Sequence, residues 1–133
     1  MKVKNLTVCL GLMLFASPAA HASLNIFACE PEWAALAQEI GGDEVKVTSA
    51  TQAMQDPHYI EARPSLIAGV RKADLVVCTA AQLEIGWLPA LLNKANNPAV
   101  LPGKDGFFEA SAFVQRLDVP TSVEQIHVRQ ILT

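Results

Sequence analysis

Four short runs of apolar residues have the length and side-chain types of β-strands. They are Leu24–Ala28, Glu44–Ser49, Asp74–Cys78 and Ala99–Leu101. The second run alternates, so that Val45 and Val47 face the same way. The third is almost entirely apolar and β-branched, which is typical of a central strand in a parallel sheet.

The segments between these runs have helical spacing. The first predicted helix opens at Glu30-Pro31-Glu32, with proline in the first turn and acids near the positive end of the helix dipole, and it stops at Gly41-Gly42. Its predicted core face consists of Trp33, Leu36, Ala37 and Ile40. A second helix starts at Pro64-Ser65 and ends near Lys72-Ala73, and a third runs from about Trp87 to Ala95.

Strands that alternate with helices in this way predict right-handed βαβ units. The expected fold class is therefore α/β, with a parallel sheet of about four strands flanked by helices. Ligands of such sheets bind at the carboxyl ends of the strands. Past Gly103, five apolar residues are predicted to join the core: Phe107, Phe108, Ala112, Phe113 and Leu117.

The first 22 residues have the pattern of a secretory signal peptide. A basic start at Lys2 and Lys4 precedes an apolar stretch, and Ala20-His21-Ala22 is a small-x-small cleavage signal. We therefore expect a protein of the periplasm, with no stable membrane anchor after cleavage. The predicted organisation is a signal peptide at 1–22, an α/β lobe at 23–119, and an atypical tail at 120–133 that is a candidate for disorder.

Composition and motifs exclude several classes of function. Removal of two lysines with the signal peptide moves the formal charge from −3 to −5, and no basic stripe is present, so nucleic acid is not an expected partner. The sequence has no Gly-x-Ser-x-Gly elbow, Walker loop or Cys-x-x-Cys motif. We therefore do not expect an enzyme.

Two cysteines, Cys29 and Cys78, remain after signal cleavage, each at the end of a predicted strand. An even number in an oxidising compartment favours a disulfide. If the first and third strands are neighbours, their spacing of about 4.8 Å suits one. Two buried thiols are the alternative. A metal site shared with His58 is less favoured, because the cysteines would have to leave the strand ends.

The segment Asp56–Ser65 carries the strongest candidate chemistry. It holds His58 between prolines at the predicted rim of the sheet, where an imidazole can bind a metal ion. Asp56 is interpreted as a turn-forming residue. Glu61 and His127 are weaker candidate ligands, and Glu84 is expected to have a structural or supporting role.

These motifs, taken in order, resemble the N-terminal lobe of the periplasmic metal-binding proteins of zinc and manganese ABC transporters. Three pieces carry the resemblance: Ile40-Gly41-Gly42 at a helix end, Asp56-Pro57-His58 followed by Glu61, Pro64 and Ser65, and Ala73–Val77 followed by Leu83-Glu84 and Trp87. It covers roughly residues 24–117.

The resemblance implies a two-lobed protein, joined by one long helix, that binds Zn²⁺ or Mn²⁺ in the cleft and delivers it to an ABC permease. His58 matches the first of the family's histidine ligands. The expected second histidine, in an Asn-Pro-His context, is not found, and the connecting helix and C-terminal lobe are missing. We therefore expect a truncated N-terminal lobe that binds metal weakly.

Local departures from the family pattern leave alternatives open. Ile60 stands where the family usually has an aromatic residue, and no His/Asp/Glu-rich loop favours zinc over manganese. A frameshift or premature stop would produce a tail like this one. The alternative functions are a binding protein for a siderophore or corrinoid, and a small periplasmic adaptor or redox module.

Overall fold

The computed structural model describes residues 23–117 and contains one parallel sheet of four strands. Its strands are β1 (Leu24–Ala28), β2 (Val45–Ser49), β3 (Leu75–Cys78) and β4 (Phe107–Glu109). Their order across the sheet is β2-β1-β3-β4, and every neighbouring pair is parallel. The predicted α/β class and parallel sheet are confirmed. The predicted signal peptide at 1–22 and the whole of the predicted tail at 120–133 lie outside the described residues.

Three helices connect the strands: α1 (Pro31–Gly41), α2 (Pro64–Lys72) and α3 (Leu88–Ala95). Each has proline in its first turn. Backbone N–H groups in the first turn have no intrahelical acceptor, so proline, which lacks an N–H, costs no hydrogen bond there. The connection from β1 to β2 runs one way across the sheet, and the connections from β2 to β3 and from β3 to β4 run the other way. Right-handed connections that run in opposite directions place their helices on opposite faces of the sheet. Accordingly α1 covers one face, over β1 and β2, while α2 and α3 pack together on the other. None of these helices, within residues 23–117, combines the length and apolar character needed to cross a bilayer.

The core lies between the sheet and the pair α2/α3. Its most deeply buried apolar side chains are Phe27, Leu66, Val70, Val76, Leu91 and Val100. Gly69 lets α2 approach the sheet closely, since a Cβ there would lie 3.2 Å from Cδ2 of Phe27. The side of α2 that carries Leu66 and Val70 and the side of α3 that carries Leu91 therefore build the core.

The predicted core face of α1 is wrong at two of its four residues, whereas Trp33 and Ala37 are partly buried. No residue of α1 is buried, and Leu36 and Ile40 are 48% and 78% exposed. The helix lies over the edge of the sheet, because β2 is the outermost strand and pairs only with β1. Part of its apolar stripe therefore extends past the sheet, so periodicity identified the helix but not its contacts.

The fourth strand was predicted in the wrong place. Ala99–Leu101 is not a strand, because Pro98–Val100 forms a 3₁₀ turn. The side chain of Asn97 caps this turn by accepting from the N–H of Ala99, at 3.2 Å. The actual fourth strand begins at Phe107, which is paired with Val76 of β3.

The predicted aromatic extension of the core is also mostly wrong. Phe107 packs against the core, but Phe108, Phe113 and Leu117 are 39%, 75% and 81% exposed, and Ala112 is exposed as well. Neighbouring residues of a strand point to opposite faces, which separates Phe107 from Phe108. The ring of Phe108 stacks instead on Phe113, with centroids 5.2 Å apart.

Candidate functional site

The carboxyl ends of β1 and β3 meet at the point where the order of the sheet reverses. From β1 the chain proceeds to β2 on one side and later to β3 on the other, and ligands of α/β sheets bind at such switch points. Here Cys29 and Cys78 form a disulfide across the two strand ends, with their Cα atoms 4.9 Å apart. Both residues are fully buried. The predicted disulfide is confirmed, and it closes the switch point covalently.

Two buried carboxyl groups lie beside this disulfide. Glu30 and Glu84 are 3% and 2% exposed. Oε1 of Glu84 accepts from the N–H groups of Thr79 and Ala80, at 2.9 and 3.2 Å. Oε2 of Glu30 accepts from the same Thr79 N–H at 3.3 Å and from its hydroxyl at 3.1 Å. The two acids therefore converge on a single backbone amide.

The environment of Glu30 favours its protonated form. Burial, followed by the neighbouring carboxyl of Glu84, raises the pKa of Glu30 from 4.5 to about 8. Its Oε1 is buried and receives no hydrogen bond. A protonated Glu30 resolves this arrangement, because its O–H then donates to Glu84 instead of two carboxylates facing each other.

The backbone after β3 is strained where Glu84 holds it. Ala80, Ala81 and Gln82 follow one another with φ angles of 62°, 52° and 77°, in the left-handed region that disfavours residues with a Cβ. Each such residue costs roughly 1–2 kcal/mol. The carboxylate of Glu84 stabilises the turn by accepting two of its N–H groups. Its expected structural role is thus supported by geometry, although it does not cap α3.

The His58 loop lies after β2, at the same end of the sheet. The His58 side chain is 57% exposed. Its Nδ1 lies 2.8 Å from Oδ1 of Asp56, and its backbone N–H donates to the same oxygen at 2.9 Å. The backbone N–H first, and then the ring, hold the pKa of Asp56 below its usual value. This arrangement directs the other ring nitrogen, Nε2, away from the pair.

The loop that carries His58 is held in place by the segment just before α3. Trp87, only 3% exposed, donates from Nε1 to the carbonyl of Pro57 at 2.7 Å. A Cβ at Gly86 would lie 3.2 Å from the carbonyl oxygen of His58, so the two segments are in close contact. Trp87 belongs to the buried core, and its ring N–H adds a polar contact that positions the candidate ligand.

The structure does not gather the predicted metal ligands around His58. Within residues 23–117, the only group of three or more potential ligand side chains at close range is Cys29, Cys78 and Glu84. Glu61 is exposed, and its carbonyl accepts from the N–H of Arg63 at 2.7 Å. His127 lies outside the described residues. Glu30 was not identified from the sequence, since an acid between a strand and a helix more often serves the helix dipole.

The family model described as "Zinc-uptake complex component A periplasmic" matches residues 26–125, and the chain belongs to this family. A comparison with curated proteins gives no match.

Solved structures of similar fold include three informative cases. A ZnuA structure is 28% identical over 56% of this chain and 28% of that one, with a TM-score of 0.51. A zinc-bound ZnuA deletion mutant is 24% identical over 74% and 35%, with a TM-score of 0.60. A manganese-bound periplasmic metal-binding protein from candidatus liberibacter asiaticus is 18% identical over 74% and 34%, with a TM-score of 0.57. The chain thus spans between 28% and 35% of the length of these structures.

Proposed function

We propose that this chain forms the first lobe of an exported binding protein that captures a divalent metal ion, Zn²⁺ or Mn²⁺, for an ABC importer. The single observation that carries the proposal is the His58 ring, which is exposed at the rim with its Nδ1 engaged by Asp56. Family membership gives this geometry its context. The role is capture and delivery to a membrane permease, not chemistry.

The ligand role of His58 rests on the pairing with Asp56. A histidine that binds metal through one nitrogen commonly donates its other N–H to a carboxylate, which fixes the ring orientation and raises its basicity. In the metal-bound form Nδ1–H of His58 donates to Asp56, and Nε2 is the ligand atom. The hydrogen bond from Trp87 to Pro57 holds the loop that presents it.

One imidazole does not complete a metal site, so His58 needs further ligands. Zinc sites in proteins have about four ligands. Glu61, exposed three residues after His58, and His127 in the tail are the candidates within this chain. The division into a signal peptide at 1–22, a lobe at 23–119 and a separate tail at 120–133 belongs to the same proposal, as does location in the periplasm.

Calorimetric titration of the full chain, kept oxidised and free of reductant, tests the proposal. Zn²⁺ should bind with a dissociation constant on the order of micromolar or weaker. His58→Ala should weaken binding at least about tenfold, and Asp56→Asn by about 10–100-fold.

Tyr59→Ala is the matched control, because Tyr59 is the exposed neighbour of His58 and makes no ligand contact in the proposal. The same titrations on Glu61→Gln and His127→Ala decide whether either adds a ligand. Tight binding that survives His58→Ala would refute the proposal.

A further inference from the structure

The cluster at the end of β1 and β3 contains more potential ligands than the His58 loop does. The sulfurs of Cys29 and Cys78 and a carboxylate oxygen of Glu84 all lie within 4.8 Å of one another, and all three residues are buried. In the oxidised protein the sulfurs are bonded to each other and are not available as thiolate ligands.

A fourth donor lies against this cluster. Glu30 follows Cys29 directly, is 3% exposed, and shares the Thr79 N–H with Glu84. Its Oε1 is buried with no hydrogen-bond partner. A buried acceptor without a donor is costly unless the carboxyl group carries a proton, and a metal ion held by Glu84 can take the place of that proton.

We propose that reduction of the Cys29–Cys78 disulfide turns this cluster into a second metal site, selective for Zn²⁺ or a similarly thiophilic divalent ion. The two Sγ atoms and the carboxylate of Glu84 are the ligands, and Glu30 supplies the fourth. The His58 loop takes no part in it, so the two sites respond to different conditions.

The reaction balances with a dithiol as the reductant. The dithiol loses two electrons and becomes a disulfide, while the Sγ–Sγ bond breaks and the two sulfurs become thiols. Binding of Zn²⁺ then displaces both thiol protons to solvent, because the thiolate is the ligand. With both thiolates and one carboxylate bound, the buried ion is more than neutralised, which offsets its desolvation.

The geometry requires only small movements. Zn–S bonds of about 2.3 Å and Zn–O bonds of about 2.0–2.2 Å place tetrahedral ligand atoms about 3.5–3.8 Å apart. The present separations, up to 4.8 Å, and a Cα–Cα distance of 4.9 Å need rotation of side chains while the strands stay paired. Thiolate ligands favour zinc over manganese, unlike a site of imidazole and carboxylate.

The test uses the full chain with Cys9→Ser, so that Cys29 and Cys78 are the only thiols. The chain is refolded either with or without a phosphine reductant, which contains no thiol, and is then titrated with Zn²⁺. Refolding ensures that slow entry of the metal into a buried site does not limit binding. Co²⁺ serves as the spectroscopic probe, because thiolate ligation gives a sulfur-to-cobalt charge-transfer band. Circular dichroism follows the fold throughout.

We expect the reduced chain to bind one additional equivalent of Zn²⁺ and to show the charge-transfer band, and the oxidised chain to show neither. Glu84→Gln should weaken this binding at least about tenfold. His58→Ala should leave it unchanged, which separates this site from the proposed capture site. Glu32→Gln, an exposed acid in the first turn of α1, is the matched control and should have no effect.

If the reduced chain unfolds without metal, Zn²⁺ should restore its helical signal, since binding to a site formed only in the native state is coupled to folding. Thiols of an unfolded chain would bind Zn²⁺ without regard to Glu84. Equal binding by oxidised and reduced chains, insensitivity to Glu84→Gln, or a reduced chain that stays unfolded in excess Zn²⁺ would each overturn the proposal.

Discussion

The protonated acid at the end of β1 should make the protein less stable as the pH rises. Glu30 has a pKa of about 8 in the folded state, against 4.5 for the ordinary carboxyl group. Between these values the folded state binds the proton and the unfolded state releases it. The free energy of unfolding therefore falls as pH rises from about 4.5 to 8, and this contribution is constant above and below that window.

The magnitude follows from the size of the pKa difference. Each unit corresponds to about 1.4 kcal/mol, which sets an upper limit of about 5 kcal/mol. Because the pair can relax and share its proton, we expect a loss of about 2–3 kcal/mol between pH 5 and pH 8. Glu30→Gln removes the titration and keeps the donor, since the amide of glutamine donates to Glu84 as the protonated acid does.

Urea unfolding of the oxidised chain at pH 5, 6, 7 and 8, with chelator present and tryptophan fluorescence as the signal, measures this effect. Glu30→Gln should be within about 1 kcal/mol of the wild type at pH 5 and about 2–3 kcal/mol more stable at pH 8. Glu32→Gln, at an exposed position two residues later in the first turn of α1, should differ from the wild type by less than about 0.5 kcal/mol at every pH. A difference between Glu30→Gln and wild type that does not change with pH would refute the reasoning.

Three further variants, one of them with a control, test other parts of the structure. Ala81→Gly should stabilise the protein by about 1 kcal/mol and raise its melting temperature, because glycine adopts the left-handed conformation of this position without strain. As the control, Ala68→Gly in the exposed interior of α2 should destabilise the protein by about 0.5–1 kcal/mol. Asn97→Ala should cost about 1–3 kcal/mol in urea unfolding, since its side chain donates to carbonyls at the end of α2 and caps the next turn; a neutral effect would contradict this. Trp87→Phe keeps the buried ring but loses the bond to Pro57, so it should weaken zinc binding through His58 with little change in helix content; unchanged affinity would count against the loop's support.

The strands and helices that were predicted correctly are those that depend mainly on their own residues. β1 and β2, and the starts of α2 and α3, were recognised within a residue or two, because β-branched runs and N-terminal prolines act locally. The pairing of Cys29 with Cys78 followed once β1 and β3 were taken as neighbours.

The errors arose where distant residues decide the structure. Val100 is buried from a 3₁₀ turn instead of a strand, because Asn97, which caps that turn, also donates to carbonyl groups at the distant end of α2. Leu36 and Ile40 are exposed because α1 lies over the edge of the sheet. The role of Glu30 depends on Thr79 and Glu84, which are about fifty positions away and leave no local signal beside it.

The order β2-β1-β3-β4 has a consequence for how the lobe opens locally. The two central strands are joined covalently, whereas within the described sheet β2 is paired only with β1, and β4 only with β3. Amide protons of β1 and β3 should therefore exchange with solvent only on global unfolding, and those of β2 and β4 through smaller fluctuations. The loop bearing His58 extends from one of these outer strands, so it can rearrange around an incoming ion while the centre of the sheet stays intact.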